Sequence, residues 1–327
     1  MLLRIVHRTR YRYHAAIDLA QHMVHLRPVD TPTQQVLQHE LRIDPEPAAR
    51  SNTTDVFGNQ RTFFSLQSHH AVLTVEADSL VSTHAPEPLP LGPPWRGMSW
   101  ERVREHFRYR ALAPFDPASE FLFPSPYAPR DDHFADFARP VVKPGLPALE
   151  AARALMEHIH TELTYETDST EVNTPAVEAL EQRKGVCQDF AHIMIGCLRS
   201  LGLPARYVSG YLLTRPPPGR PRLIGADASH AWVSVYVPLA AEGNDNENEK
   251  ENDSAAGGAW FDFDPTNNRC GWGSPGEDYV TLATGRDFGD ISPMRGVIQS
   301  GARHTLSVAV TVAPPDELAE LASITPA

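Results

Sequence analysis

Gly185-Val186-Cys187-Gln188-Asp189-Phe190-Ala191-His192 is the stretch on which the reading of this chain turns. A cysteine stands two residues after a glycine and opens a run whose apolar positions are Phe190, Ala191, Ile193, Met194, Ile195, Cys197, Leu198 and Leu201. Apolar residues on nearly every side mark a helix enclosed by protein rather than one lying on a surface. Gly202 and then Pro204 close it, in the order in which helices usually end. Cys187 is thereby predicted in the first helical turn, among unpaired backbone N–H groups at the positive end of the dipole. That setting favours the thiolate, the form that attacks carbonyl carbon. A lone cysteine is commonly no more than a small buried apolar residue, so its partners decide.

A cysteine nucleophile needs a base within hydrogen-bond reach, and the base needs a third group to fix its tautomer. The chain order Cys187, His230, Asp264 supplies them. His230 opens an alternating strand and shares a face with Trp232, Ser234 and Tyr236, while Val233, Val235 and Val237 take the other. Trp260, Asp262 and Asp264 share one face of the next strand, and Pro265 ends it by removing a ladder donor. If these two strands pair antiparallel, the start of one lies beside the end of the other. Asp264 then meets His230, and Asp262 sits about 7 Å further along. His192, the rival base, lies about 140° around the helix from Cys187 and is read as a packing or supporting residue. Asp189 near a helix start is explained by the dipole. Cys197 and Cys270 are expected to have no chemical role, and no spacing of cysteine and histidine supports a zinc site.

Outward from that centre, 327 residues suffice for a large core and two domains. The formal charge of −12 argues against a nucleic-acid or anionic-membrane surface. Glu242 to Asp253 alone carries six acids against Lys250, so much of the charge belongs to one low-complexity insert, 241–258, expected to be disordered. Its acids are interrupted by Asn and lack a calcium-loop pattern. Three cysteines form no disulfide framework, which suits a reduced, cytoplasmic setting. The basic start from Met1 to Tyr13 has no apolar core of a signal peptide, and no apolar run is long enough to span a membrane. Oligomeric state is not legible.

Residues 3 to 13 alternate, with Leu3, Ile5, Thr9, Tyr11 and Tyr13 on one face and Arg4, Arg8, Arg10 and Arg12 on the other. Further strands are expected at 37–43, 61–66 and 71–81, so 1–85 reads as an antiparallel β domain. Residues 86–145 read as a linker with one short helix capped by Ser99. The stretch 111–144 is long and aperiodic, so it is either functional or packed across another surface. A core over 146–300 begins with an amphipathic helix carrying Leu149, Ala152, Leu155, Met156, Ile159 and Leu163 inward. A short helix from Thr174-Pro175-Ala176, the Cys187 helix, and strands at 205–213, 230–237 and 259–264 follow. Arg215 to Gly219 reads as a stiff loop, and 301–327 as a closing strand and tail.

The residues Gly185 to Ala191, Gly202-Leu203-Pro204-Ala205-Arg206-Tyr207-Val208-Ser209-Gly210-Tyr211, Ser229-His230-Ala231-Trp232 and Asp264-Pro265-Thr266-Asn267 together resemble the bacterial transglutaminase-like superfamily. Gly285-Arg286-Asp287 with Asp290 and Pro293 is similar to its C-terminal signature, and residues 1–85 resemble the β domain that precedes the core in bacterial members. The acidic insert between His230 and Asp264 is the main departure. The resemblance implies an α+β fold: a papain-like core, its central helix packed on an antiparallel sheet, behind an N-terminal antiparallel β domain. It also implies Cys187 as nucleophile, His230 as base and Asp264 as orienter, with no cofactor and no metal. The expected chemistry is acyl transfer on protein or peptide carboxamides through a thioester, with the Cys187 N–H as an oxyanion donor. A cysteine protease or amidase would use the same three residues with water as acceptor. A peptide-binding module without chemistry is the reading of a different class.

Overall fold

The computed structural model describes residues 1–92, 95–112, 114–167, 169–214, 229–239, 257–299 and 303–318. The chain begins with β1 (Leu2–Ile17), β2 (Ala20–Val24), β3 (Gln34–Asp44), β4 (Ala49–Thr54), β5 (Gln60–Leu66) and β6 (His70–Thr83). Helices α1 (Trp100–His106), α2 (Asp132–Ala138) and α3 (Ala148–Glu162) follow, then β7 (Thr164–Tyr165), α4 (Ala176–Gln182), β8 (Lys184–Gly185) and α5 (Cys187–Ser200). The remainder is β9 (Ala205–Leu212), β10 (Ser229–Pro238), β11 (Gly258–Asp264), β12 (Arg269–Trp272), β13 (Tyr279–Gly285), α6 (Phe288–Ile291), β14 (Met294–Ile298) and β15 (His304–Ala313). Among the described residues no helix is long and apolar enough to cross a membrane. The expected loop Arg215 to Gly219, all but the last two residues of the insert, and the end of the tail lie outside the described residues.

The α+β architecture holds three main sheets, in the orders β15-β1-β6-β3, β14-β2-β5-β4 and β12-β11-β10-β9-β13. The first two form the strand-rich N-terminal unit. Its arginine row is a solvated strand face: Arg4 pairs with Asp78 and Arg8 with Glu76 across β1 and β6. On the odd-numbered face of β1, Leu3 to Thr9 are buried and so are Tyr13 and Ile17, but against two partners. Leu3 and Ile5 pack with Tyr211, Leu213, Val280 and Leu282 of the five-stranded sheet, whereas Tyr13 and Ile17 pack inside the N-terminal sandwich with Phe64, Leu66 and Val75. One apolar strand face therefore seals both units.

In the second unit α5 is the enclosed helix that its composition predicts. Phe190, Ile193, Met194, Ile195, Cys197 and Leu198 are all buried, and Gly202, at φ +80°, ends the helix in a conformation that glycine adopts without strain. Val233, Val235, Val237, Phe261 and Phe263 share its core with the inner face of α3. The stretch 111–144 packs across this core. It carries α2, whose Phe134 and Phe137 are buried, and it is tied down by Arg199 of α5. The Arg199 guanidinium donates to the carbonyls of Phe121 (2.9 Å), Ala205 (3.0 Å) and Arg286 (2.6 Å) and to Ser125 Oγ.

Two arrangements depart from a simple order of units along the chain. β14 and β15, from the last part of the chain, pair with β2 and β1, so the C-terminal strand completes an N-terminal sheet. The exposed edge of the five-stranded sheet is also covered from the other unit. Gln34 and Asn59 each use both ends of a side-chain amide to bond an N–H and a C=O of β13. Gln34 does so at Thr281 (2.7 and 2.8 Å) and Asn59 at Thr284 (2.8 and 2.7 Å). A free strand edge invites wrong pairing, and here two amides occupy its ladder positions.

Candidate functional site

Cys187 is the first residue of α5, after Val186 at the N-cap. Its backbone N–H belongs to the first turn, where no intrahelical acceptor exists. The turn is braced by Asp189, whose Oδ2 accepts from the Val186 N–H (2.8 Å) and from Thr170 Oγ1 (2.7 Å). That carboxylate folds back over Gly185 so closely that a Cβ there would stand 2.6 Å from it. The glycine two residues before the cysteine is thus the space that the brace occupies. Gln188 Nε2 donates to Val172 O (3.0 Å), tying the preceding loop to the same turn.

His230, near the start of β10, hydrogen-bonds Asp264, and Cys187 lies near enough to act on its titration. Its Nε2 stands 2.7 Å from Asp264 Oδ2, which leaves Nδ1 for the sulfur. The pairing of Val233 with Phe263 sets the register of β10 on β11. One step further puts Asp264 opposite Trp232, so the carboxylate reaches His230 on the diagonal. Asp262 is engaged elsewhere. Its Oδ1 accepts from Ser234 Oγ (2.5 Å) and Trp232 Nε1 (3.2 Å), and burial pushes its carboxyl up.

Asp264 is fully buried and heavily bonded. Oδ2 accepts from His230, from Tyr279 Oη (2.6 Å) and from Asn267 Nδ2 (2.7 Å), and Oδ1 from the N–H groups of Thr266 (2.9 Å) and Asn267 (3.2 Å). Burial works to raise its carboxyl, but the bonds from His230, Tyr279 and Asn267 hold it below the usual carboxylate range. Burial likewise depresses His230, yet Asp264 and Cys187 together carry the imidazole up to about 10. The arrangement can hold a protonated imidazole between an anion and a sulfur at neutral pH.

The other residues considered from sequence do different work. His192 is buried and stacked between Tyr127 and Tyr207, with ring centroids at 5.3 and 4.9 Å. Its Nε2 accepts the Phe288 N–H (3.2 Å), and burial, then Arg199, lowers it to about 3. It is a neutral packing residue. Cys197 is enclosed in α5 and Cys270 lies half-buried on β12; burial pushes both thiols up. Asp287 caps α6 through the Gly289 N–H and also holds the Tyr127 N–H. Tyr279 escaped the sequence reading, since a tyrosine at the head of a strand carries no signal of its own. Asn267 was visible only inside the motif that it follows.

Comparison with known proteins bears on the family and the fold. Residues 3–82 match the family described as bacterial transglutaminase-like N-terminal region, and residues 135–265 match the transglutaminase-like superfamily. The uncharacterized protein Rv2569c of Mycobacterium tuberculosis is 36% identical over 314 residues, covering 95% of this chain and 92% of the relative. The uncharacterized protein ML0607 of Mycobacterium leprae is 30% identical over 314 residues, covering 95% and 98%. The crystal structure of a candidate cysteine protease from Cytophaga hutchinsonii shares the fold at a TM-score of 0.67 and 20% identity, over 97% of this chain and 91% of the other. With a matched N-terminal region, a matched core and relatives aligned along nearly its whole length, this chain belongs to the transglutaminase-like superfamily.

Proposed function

We propose that this protein is a cysteine-dependent acyltransferase that takes its acyl group from a protein or peptide carboxamide through a thioester at Cys187. The observation that carries the reading is the His230 ring, hydrogen-bonded to a buried, ionised Asp264 and close enough to Cys187 for the sulfur to raise its titration. Cys187 Sγ attacks the carbonyl carbon while His230 holds the thiol proton. His230 delivers that proton to the leaving nitrogen as the C–N bond breaks, and the thioester remains. An acceptor amine then attacks the thioester, gives its proton to His230, and the thiol is restored. The Cys187 N–H, free at the helix start, is placed to meet the oxyanion.

Hydrolysis is the second reading, and one observation favours it. Cys187 is only partly buried, so water has access to the sulfur-bound acyl group, and the Cytophaga hutchinsonii neighbour is described as a candidate protease. The deciding experiment incubates the protein with glutamine peptides and a primary amine and follows amine incorporation, ammonia release and peptide cleavage separately. Incorporation that disappears in Cys187→Ala supports acyl transfer to amines. Cysteine-dependent acid product alone supports hydrolysis. If no product depends on Cys187, the chemistry is refuted and a peptide-binding role takes its place.

A further inference from the structure

Tyr279 lies outside the three residues just discussed, 15 positions after Asp264 and on the edge strand β13. Its hydroxyl stands 2.6 Å from the same Asp264 oxygen that accepts the His230 Nε2–H. The phenol is buried, and burial together with Asp264 pushes its titration far up, so it remains protonated and can only donate to the carboxylate. The ring is held from three sides. Trp232 meets it edge-on at 5.4 Å, the His230 ring lies at 5.9 Å, and the Arg269 guanidinium stands 4.8 Å from its centroid. Arg269 is itself fixed by a two-pronged pair with Asp278 (2.6 and 2.8 Å), the residue before the tyrosine. A cation over the ring draws electron density from the phenol and strengthens its O–H as a donor.

A tyrosine serving only as core filler would not need its one polar atom aimed at a buried carboxylate, and a carboxylate serving only to neutralise His230 would not need four further donors. We propose that Tyr279 is a positioning residue for the Cys187 site: its hydroxyl fixes the rotamer of Asp264 and draws off part of the charge on Oδ2. It thereby sets both where the His230 ring points and how strongly its Nε2–H is bound. The inference rests on the acyl-transfer reading for its consequence, but its physical content, the Tyr279–Asp264–His230 coupling, can be measured without a substrate.

The test uses the full chain and three readouts: circular dichroism for folding, the rate at which iodoacetamide alkylates Cys187, and the chemical shift of the His230 Nε2 nitrogen, read by NMR through the carbon-bound ring protons. Tyr279→Phe keeps the ring and removes the donor. With one donor fewer on Oδ2, the carboxylate becomes a stronger acceptor for His230, and the Nε2 shift moves toward that of a more strongly bound imidazole. Cys187 alkylation slows because the ring is less firmly aimed. A fluorinated tyrosine placed at 279 alone is a stronger donor and moves the Nε2 shift the opposite way, which guards against a trivial packing effect of the phenylalanine. His230→Ala serves as the control for the underlying reading. If it leaves Cys187 reactivity unchanged, the thiol and imidazole are not coupled and the acyl-transfer reading fails, whatever Tyr279 does. If it slows alkylation while Tyr279→Phe folds and leaves both the Nε2 shift and the Cys187 rate at wild-type values, the role assigned to Tyr279 is overturned and only packing remains.

Discussion

At the scale of single residues, two aspartates on one strand face have opposite fates. Asp264 takes the His230 Nε2–H, while Asp262 is spent on Trp232 and Ser234. Asp264→Asn keeps an acceptor of the same shape but loses the charge that supports the imidazolium. The Cys187-dependent rate of the proposed reaction is expected to fall by roughly 10³- to 10⁴-fold, as when the acid of comparable triads is neutralised. Asp262→Asn retains a carbonyl for both of its donors and lowers the rate far less, its cost showing in stability instead. Parallel kinetics and urea titrations of the two variants check this. A larger rate loss for the 262 variant would move the orienting role to that residue.

At the scale of elements, the hairpin of β10 and β11 separates chemistry from insertion. His230 lies near the start of β10 and Asp264 ends β11, whereas the acidic insert joins the other ends of these strands, where Leu239 N–H meets Gly257 O at 2.8 Å. Eight strand residues separate the two places, about 26 Å at the rise of an extended chain. Loop length adds closure entropy only slowly. Removing 240–256 and joining the flanks with a short turn is therefore expected to change the unfolding free energy by less than about 1 kcal/mol and to preserve the Cys187-dependent rate. Chemical denaturation and the amine-incorporation assay on the shortened chain read the two quantities. Activity lost from a chain that still folds would place the insert at the substrate.

At the scale of the molecule, the N-terminal unit is built into the second one rather than appended to it. Gln34 and Asn59 are buried and replace strand partners for Thr281 and Thr284. Changing Asn59 to Leu leaves the N–H and C=O of Thr284 without partners, and changing Gln34 to Leu leaves the Thr281 N–H without one while its C=O keeps the Val29 N–H (3.4 Å), at about 1–3 kcal/mol of stability for each group left unpaired. Urea midpoints of both variants measure it, and unchanged midpoints would mean that the amides do not join the units.

The whole fold also carries a pH signature. Burial lowers His7 and His22 to about 4 and His192 to about 3, from 6.5 in the open chain. For groups depressed in this way the unfolded state binds the extra proton. Stability is complete above about pH 6.5 and is lost as pH falls toward 4, by about 1.4 kcal/mol per pH unit for each histidine. Asp264, held low by its donors, acts in the same direction at more acidic pH. Thermal unfolding should show stability falling from about pH 6.5 to pH 4, whereas between pH 8 and pH 6.5 His230, held up to about 10, adds stability as the pH falls; a flat profile below pH 6.5 would contradict the neutral state assigned to these histidines.

Much of this was legible in the sequence because periodicity is a local property. Apolar residues around every side of 187–201 announced an enclosed helix, and alternation in 3–13, 230–237 and 259–264 announced strand faces that the structure reproduces. The alternation also put His230, Asp262 and Asp264 on faces from which the pairing could be narrowed. Where local pattern is silent, the tertiary structure alone decided. β4 (ARSNTT) is exposed at every position, so no burial signal marks it; α2 hides in a proline-rich stretch because its apolar face is only two turns long. β15 shows its alternation but not its partner, since pairing with β1 spans nearly the full chain. Tyr279 meets Asp264 only because β13 joins the sheet beside β9 instead of its neighbour in sequence, β12. Which strands lie side by side is set by the sum of many distant contacts, and no window of residues contains that sum.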